Sequence, residues 1–177
     1  MGMDLVLCAM SAKRRGMLEE DPSLLRELLS ARHEDKVPGL LDLGKTWDAL
    51  DRIVAPKQKD PILADAILAR SGVKTKARAG VGQARILEPP RVAEIAAKLD
   101  ALEDLVSLVE DRYDSLTGAH GGWGEHTPAK GDSKWLKEKA KAARADEIKQ
   151  LVDMLDNVIT LYGEAAKAEQ SMLSIVF

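Results

Sequence analysis

The stretch at residues 40–54 reads LLDLGKTWDALDRIV, and the rest of the chain is organised around it. Its apolar residues recur at i, i+4, i+7 and i+11, a spacing that places them on one face of an α-helix: Leu43, Trp47, Leu50 and Val54. Asp42 stands where the N-cap of this helix is expected, and the helix is expected to end at Ala55, before a proline. Trp47 is one of three tryptophans in the chain, so we expect neighbouring elements to pack around its indole.

The composition predicts one globular domain spanning residues 1–177. The chain is 45 % hydrophobic and 31 % charged, which provides enough apolar surface for a core without disulfides. The formal net charge is −3, whereas nucleic-acid-binding modules are typically basic, so we do not expect specific nucleic-acid binding. Cys8 is the single cysteine and lies in an apolar run, where an inert buried thiol is expected.

The sequence shows no signal for membrane attachment. No stretch approaches about 18 consecutive apolar residues, the length needed for a transmembrane helix. The N-terminal residues lack the basic region of a signal peptide, and Val6 stands where a myristoylation signal needs serine or threonine. We therefore predict a cytoplasmic location without membrane contact.

The periodicity along the chain predicts an α+β fold with a small sheet of about three strands, wrapped by six or seven helices. Residues 3–10 are apolar at both alternating sets of positions, which is typical of an interior strand, and residues 172–177 form a terminal strand that pairs with it. A weaker strand is expected at residues 81–87. The helices are predicted at 11–20, from 22, at 42–55, at 60–72, from 89, at 103–113 and at 133–167.

Residues 114–132 form a long loop without apolar periodicity. They contain five glycines, at positions 118, 121, 122, 124 and 131, and loops of this length are usually functional or disordered. Trp123 lies between glycines, so we expect its indole either to anchor a partner or to fold back and pin the loop to the core. We predict a protein partner that binds this loop or a basic face of the protein.

Several segments along nearly the whole chain carry a resemblance to a known family. They are MGM at residues 1–3 before a strand, LDLGKTWDAL at 41–50, DPILADAIL at 60–68, VAEIAAKL at 92–99, and LY at 161–162 with AA at 165–166. Together these segments resemble the YfbM-like family of small uncharacterised bacterial proteins. The chain departs from the family pattern at Asp51, where histidine is common, and at Ser71-Gly72, where two glycines are common. The resemblance implies an α+β fold and no established activity.

The best candidate site next to the predicted helix combines Asp42, Lys45, Trp47 and Asp48. A lysine between two carboxylates and an indole has the chemistry of a pocket for a polar ligand. The same residues also fit a structural role, with Asp42 as a cap, Trp47 in the core, and Lys45 and Asp48 as solvated charges on the helix surface. Both interpretations stay open on the sequence alone.

Two clusters of cationic residues define possible basic faces. The first has no acidic residue within it and comprises Arg70, Lys74, Lys76, Arg78 and Arg85. The second is diluted by Asp132 and Glu138 and comprises Lys130, Lys134, Lys137, Lys139, Lys141 and Arg144. Such clusters bind phosphates or acidic protein surfaces, or are simply solvated. The Gly80-Val81-Gly82 turn lacks the third glycine and the helix of a dinucleotide site.

We predict no catalytic, metal or cofactor site. His120, Glu125 and His126 lack the cysteine ligands or the His-x-x-x-His spacing of common zinc sites. No serine lies in a nucleophile-elbow pattern.

Our leading interpretation is a non-enzymatic binding or interaction protein that uses the glycine-rich loop and a basic face. The alternative is an enzyme or sensor for a small phosphorylated or nucleotide ligand, with Lys45, Arg85 and Trp123 around the pocket. The alternative requires these three side chains to converge in a concavity, whereas the leading interpretation predicts an exposed apolar or charged patch.

Overall fold

The computed structural model describes residues 3–33, 37–79, 82–126 and 129–177. Within them the protein is α+β, built on an open antiparallel sheet of five strands in the order β2-β1-β5-β4-β3. The strands are β1 (Leu5–Met10), β2 (Leu40–Gly44), β3 (Val73–Ala79), β4 (Gly82–Leu87) and β5 (Ser171–Val176). The first and last strands lie side by side, as predicted, but the expected number of about three strands was too low.

Strand β1 forms the interior of the sheet because every one of its six residues is apolar. All six are buried, and β1 pairs with β5 along its whole length, from Leu5 opposite Val176 to Met10 opposite Ser171. Leu5 and Leu7 contribute to the larger core, and Val6 and Cys8 to a smaller core on the other face. The prediction of a strand covered on both sides is confirmed.

Six α-helices in the described residues cover the two faces of the sheet. The smaller core lies under α1 (Ala12–Glu20) and α2 (Leu24–Ser30). The larger core lies under α3 (Trp47–Val54), α4 (Pro89–Asp100), α5 (Leu105–Arg112) and α6 (Lys134–Lys167). Ser11 caps α1, its side chain accepting a hydrogen bond from the backbone N–H of Arg14. Among all the residues that the structure describes, no helix is long and apolar enough to cross a membrane.

The stretch at residues 40–54 is a strand followed by a helix, so the prediction of one helix capped by Asp42 was wrong. Leu41 pairs with Leu7 of β1, and α3 begins only at Trp47. The chain turns at Gly44, whose N–H donates to the Asp42 carboxylate at 2.8 Å. Leu43 and Trp47 enter the same core because this turn brings the end of the strand and the start of the helix over one face of the sheet.

The helix predicted at residues 60–72 is also absent, and only a short 3-10 turn at Leu63–Asp65 forms there. Asp60 acts as a cap, since it accepts hydrogen bonds from the N–H groups of Ile62 and Leu63. The chain leaves helical geometry at Ala69, whose φ is 45°, and the buried Asp65 carboxylate accepts the N–H and the hydroxyl of Ser71. These two bonds turn the chain toward β3, a strand that the sequence analysis interpreted only as a basic run.

The weaker strand predicted at residues 81–87 is confirmed as β4, which begins at Gly82. Gly80 and Val81, the first part of the Gly-x-Gly turn considered above, lie outside the described residues. An added Cβ at Gly82 would lie 1.7 Å from the carbonyl oxygen of Val176. Position 82 therefore has to be glycine for β4 to approach β5 this closely.

Candidate functional site

Trp47 is a core residue that also closes one hydrogen bond. Its side chain is 8 % exposed, and its indole N–H donates to the carbonyl oxygen of Met3 at 2.9 Å. The ring centroid lies 5.5 Å from that of His120. The expectation that neighbouring elements pack around this indole is confirmed.

Asp48 joins the start of α3 to the glycine-rich loop. One of its carboxylate oxygens accepts hydrogen bonds from the guanidinium of Arg52 at 3.0 Å and from the backbone N–H of His120 at 2.9 Å. Arg52 also donates to the carbonyl oxygen of Gly118. The exposed Lys45 lies beside the same loop, because an added Cβ at Gly121 would be 3.3 Å from its Cβ.

The described part of the glycine-rich loop is fastened to the protein body at several points. Trp123 is half-buried and packs against the larger core. The carbonyl oxygen of Gly124 accepts a hydrogen bond from the Thr117 hydroxyl, and its N–H donates to Glu147 of α6. These contacts agree with the second of the two roles expected for Trp123, which is to pin the loop to the core.

The six candidate residues do not surround one pocket. Lys45, Trp47, Asp48 and Trp123 are neighbours at the start of α3 and in the loop. Asp42 lies opposite Val6 on the face that carries α1 and α2, and forms an ion pair with Arg32 at 3.3 Å. Arg85 lies in β4, separated from β2 by β1 and β5, which corresponds to about 14 Å at the usual strand spacing.

The two histidines of the loop point to different partners. The His120 ring lies against Trp47, whereas Nε2 of His126 lies 3.1 Å from Glu147. In the part of the chain that the structure describes, no three His, Cys, Asp or Glu side chains come together as a metal site would require. Burial raises the pKa of the Cys8 thiol to about 11, so the thiol is protonated and unreactive at neutral pH.

A cationic cavity surrounds Arg85, and its three cationic residues belong to the first basic cluster of the sequence. Its volume is about 360 Å³, and β3, β4, β5 and the turn before β3 contribute the walls, among them Leu68, Arg70, Lys74, Gln83, Arg85 and Val176. No acidic residue is present among the described residues that line it. The only signal in the sequence was the absence of acids between Arg70 and Arg85. We call this concavity the Arg85 cavity.

The start of α6 is a second candidate binding surface. In the sequence its residues stood out only as part of the second basic cluster. The helix is 34 residues long, yet its first buried residue is Ile148. Residues 134–142 are exposed except for the half-buried Ala140, and they include Trp135 at 65 % and Leu136 at 44 % exposure. We call residues 134–142 the α6 arm.

More than half of the chain matches a known protein family. Residues 1–110 match the family described as "Domain of unknown function (DUF1877)". The chain belongs to the DUF1877 family. Together with a solved structure of YfbM from Escherichia coli, this match confirms the resemblance to YfbM-like proteins found in the sequence.

A solved structure shows the same fold. It is described as the crystal structure of a protein of unknown function, YfbM from Escherichia coli, and it is similar to this DUF1877 chain with a TM-score of 0.65 and 15 % sequence identity. The similarity covers 98 % of this chain and 99 % of the other. At this identity it shows a common fold and nothing about activity. Among curated proteins, none matches the chain.

Proposed function

We propose that this member of the DUF1877 family is a non-enzymatic interaction protein that binds an acidic protein surface through the α6 arm. The observation that carries the proposal is the exposure of Trp135 and Leu136, two large apolar side chains at the start of a helix. Tryptophan is strongly enriched among the residues that dominate binding energy at protein interfaces.

The arm extends beyond the packing surface of its own helix. The neighbours α4 and α5 pack along α6, and its buried seam runs from Ile148 to Ala165. The arm precedes this seam and is roughly 13 Å long at 1.5 Å per residue. Its apolar side chains therefore have little of their own core to cover, which makes them available to a partner.

The charge of the arm favours an acidic partner. Glu138 is its one acidic residue, and its lysines are Lys134, Lys137, Lys139 and Lys141. Within the described residues none of these lysines forms an ion pair, and Nζ of Lys139 lies 5.2 Å from the centre of the Trp135 ring. A second copy of the arm is disfavoured as the partner because the same lysines would repel one another.

The glycine-rich loop has less support as the docking surface. Its tryptophan is half-buried against the core, and its backbone is bonded to α3 and α6. Binding through the loop would first have to break these contacts. The arm presents its apolar side chains without any rearrangement.

The test is site-specific photo-crosslinking in the organism that makes the protein. A photoreactive residue at position 135 is compared with one at position 106, because Val106 is also an exposed apolar residue, at 49 %, but lies on α5. We expect an adduct with one acidic protein at position 135 and none at position 106. Combined Lys137→Glu and Lys141→Glu changes should remove the adduct, whereas Lys57→Glu and Lys59→Glu, exposed in another part of the protein, should not.

Two results would contradict the proposal. One is an equal set of adducts, or no adduct, at positions 135 and 106. The other is a nuclease-sensitive adduct at position 135, which would indicate that the arm binds nucleic acid instead of protein.

A further inference from the structure

We infer that the Arg85 cavity binds the phosphate group of a small molecule. The inference does not depend on the proposed function, since the cavity lies between β3, β4 and β5 and the α6 arm contributes nothing to it. Small-molecule sites have volumes of about 300–1,000 Å³, so a cavity of about 360 Å³ suits a phosphate and a small attached group.

The first argument is the uncompensated charge of Arg85. Arg70, the other arginine that lines the cavity, forms an ion pair with the Asp51 carboxylate. Arg85 instead donates from Nη1 to the carbonyl oxygen of Arg70 and has no carboxylate partner in the described part of the chain. Its guanidinium is held in place, and Nε and Nη2 have no partner among the described residues, so both can donate to phosphate oxygens.

The second argument is the like charge directly opposite. In the antiparallel pair of β3 and β4, Lys74 lies opposite Arg85, and both side chains line the cavity. Like charges at directly opposed positions of a sheet repel and destabilise the pair. An anion between them removes this repulsion, so the two cations together favour a bound anion.

The third argument concerns how the cavity wall is built. Arg70 is bound by the Asp51 carboxylate through two hydrogen bonds of 2.8 and 2.6 Å, so its own charge is compensated and its carbonyl is fixed toward Arg85. The preceding residue, Ala69, is fully buried and has a φ of 45°. Non-glycine residues rarely adopt this left-handed conformation, so the surrounding contacts must hold the backbone at this turn.

The lining also indicates what accompanies the phosphate. Leu68 and Val176 give one part of the cavity an apolar wall, whereas Lys74 and Arg85 give the other part its positive charge. A phosphate monoester with a small, partly apolar group satisfies both parts. Inorganic phosphate satisfies only the charged part.

The experiment is calorimetric titration of the full chain with phenyl phosphate and with inorganic phosphate, at constant ionic strength in chloride. We expect both to bind, and we expect Lys74→Gln and Arg85→Gln each to weaken binding about tenfold, as for the loss of a charge-assisted hydrogen bond. Lys76→Gln is the matched control, because Lys76 is exposed on the same strand but does not line the cavity. It should bind as the unchanged protein does.

The outcomes separate the sources of the anion. Tighter binding of phenyl phosphate indicates a phosphorylated small molecule, and equal binding indicates free phosphate; either supports the site. Failure of the unchanged protein to bind either probe above the chloride background would overturn the inference. Equal affinity in the Lys74→Gln and Lys76→Gln proteins would also overturn it, and this comparison holds even if Arg85→Gln fails to fold.

Discussion

The backbone N–H of His120 donates a hydrogen bond of 2.9 Å to the carboxylate of Asp48, which joins residues 72 positions apart in the chain. Arg52 binds the same carboxylate and the carbonyl oxygen of Gly118. Asp48, which the sequence offered as a ligand-binding residue, thus holds the glycine-rich loop on α3 together with Arg52. The described part of the loop is consequently held to the protein body, and changes within that part should alter the free energy of unfolding.

Gly124→Ala should destabilise the protein more than Gly118→Ala. Both glycines have a φ near 80°, at 79° and 78°, but an added Cβ at Gly124 would lie 2.7 Å from the backbone nitrogen of Thr117, whereas Gly118 faces open space. Both alanines carry the cost of a left-handed conformation, about 1–2 kcal/mol. The clash adds to it at position 124 alone. Urea denaturation of the two variants measures the difference, and equal losses would show that the loop is not held as described.

Trp47→Ala is expected to cost about 3–5 kcal/mol, the usual range for a large buried aromatic residue. The reason is that its side chain is only 8 % exposed within the larger core. The free energy of unfolding from denaturant titration measures this loss. A midpoint within error of the unchanged protein would show that the indole does not contribute to the core in solution.

The elements that sequence reasoning predicted well are those whose pattern depends on local chemistry. The six apolar residues of β1 need cover on both faces wherever they lie, and the side chain of Ser11 caps the helix that immediately follows. The prediction for residues 40–54 was wrong because their structure depends on a distant segment of the chain. Leu43 has helical spacing from Trp47, but its neighbours Asp42 and Gly44 pair with β1, which the local sequence does not contain, and this pairing places Leu43 in a strand.

The sequence alone could not predict the Arg85 cavity, because the cavity also depends on contacts between distant segments of the chain. Lys74 and Arg85 meet only because β3 and β4 pair in one particular register, and β3 was not predicted as a strand. Its lysines and arginine alternate with small residues, a pattern typical of an edge strand protected from aggregation. In contrast, the alternative interpretation of the sequence placed Lys45 and Arg85 around one pocket, whereas the strand order places them far apart.

Breaking the ion pair between Asp51 and Arg70 should destabilise the protein strongly. Asp51 has only 11 % of its side chain exposed and receives both terminal nitrogens of the guanidinium. Asp51→Asn leaves a partly buried cation without compensation, at a cost of about 3 kcal/mol. Arg70→Met combined with Asp51→Asn should recover part of that loss. Strictly additive losses in this double-mutant cycle would show that the pair contributes no coupling.

Nucleic-acid binding, where it occurs at all, should be weak and sensitive to salt. The net charge is −3 and the cations lie in separate local clusters, so any association is electrostatic and should disappear as salt rises from about 50 to 200 mM. Fluorescence anisotropy with labelled single- and double-stranded oligonucleotides measures this. Sub-micromolar binding at physiological salt would contradict the prediction.

Asp65 should make the protein sensitive to acid. Burial by itself raises the pKa of this carboxyl, but the hydrogen bonds from Ser71 and Arg91 outweigh burial and hold the pKa below its usual value of 3.8. The folded state therefore binds the proton less readily than the unfolded state does. The stability from Asp65 is complete above pH 3.8 and is lost as the pH falls from there through the lower pKa of the folded state.

The Asp65→Asn variant tests this directly. It should be less stable than the unchanged protein at pH 7, and the difference between the two free energies of unfolding should narrow as the pH falls below about 4, because only the unchanged protein loses a charged Asp65 there. Glu103→Gln, at an exposed position, controls for the removal of one negative charge. Denaturant titrations at several pH values between 7 and 2 give the three curves. A stability difference between Asp65→Asn and the unchanged protein that stays constant down to the lowest pH would show that the Asp65 carboxylate is not preferentially charged in the folded state.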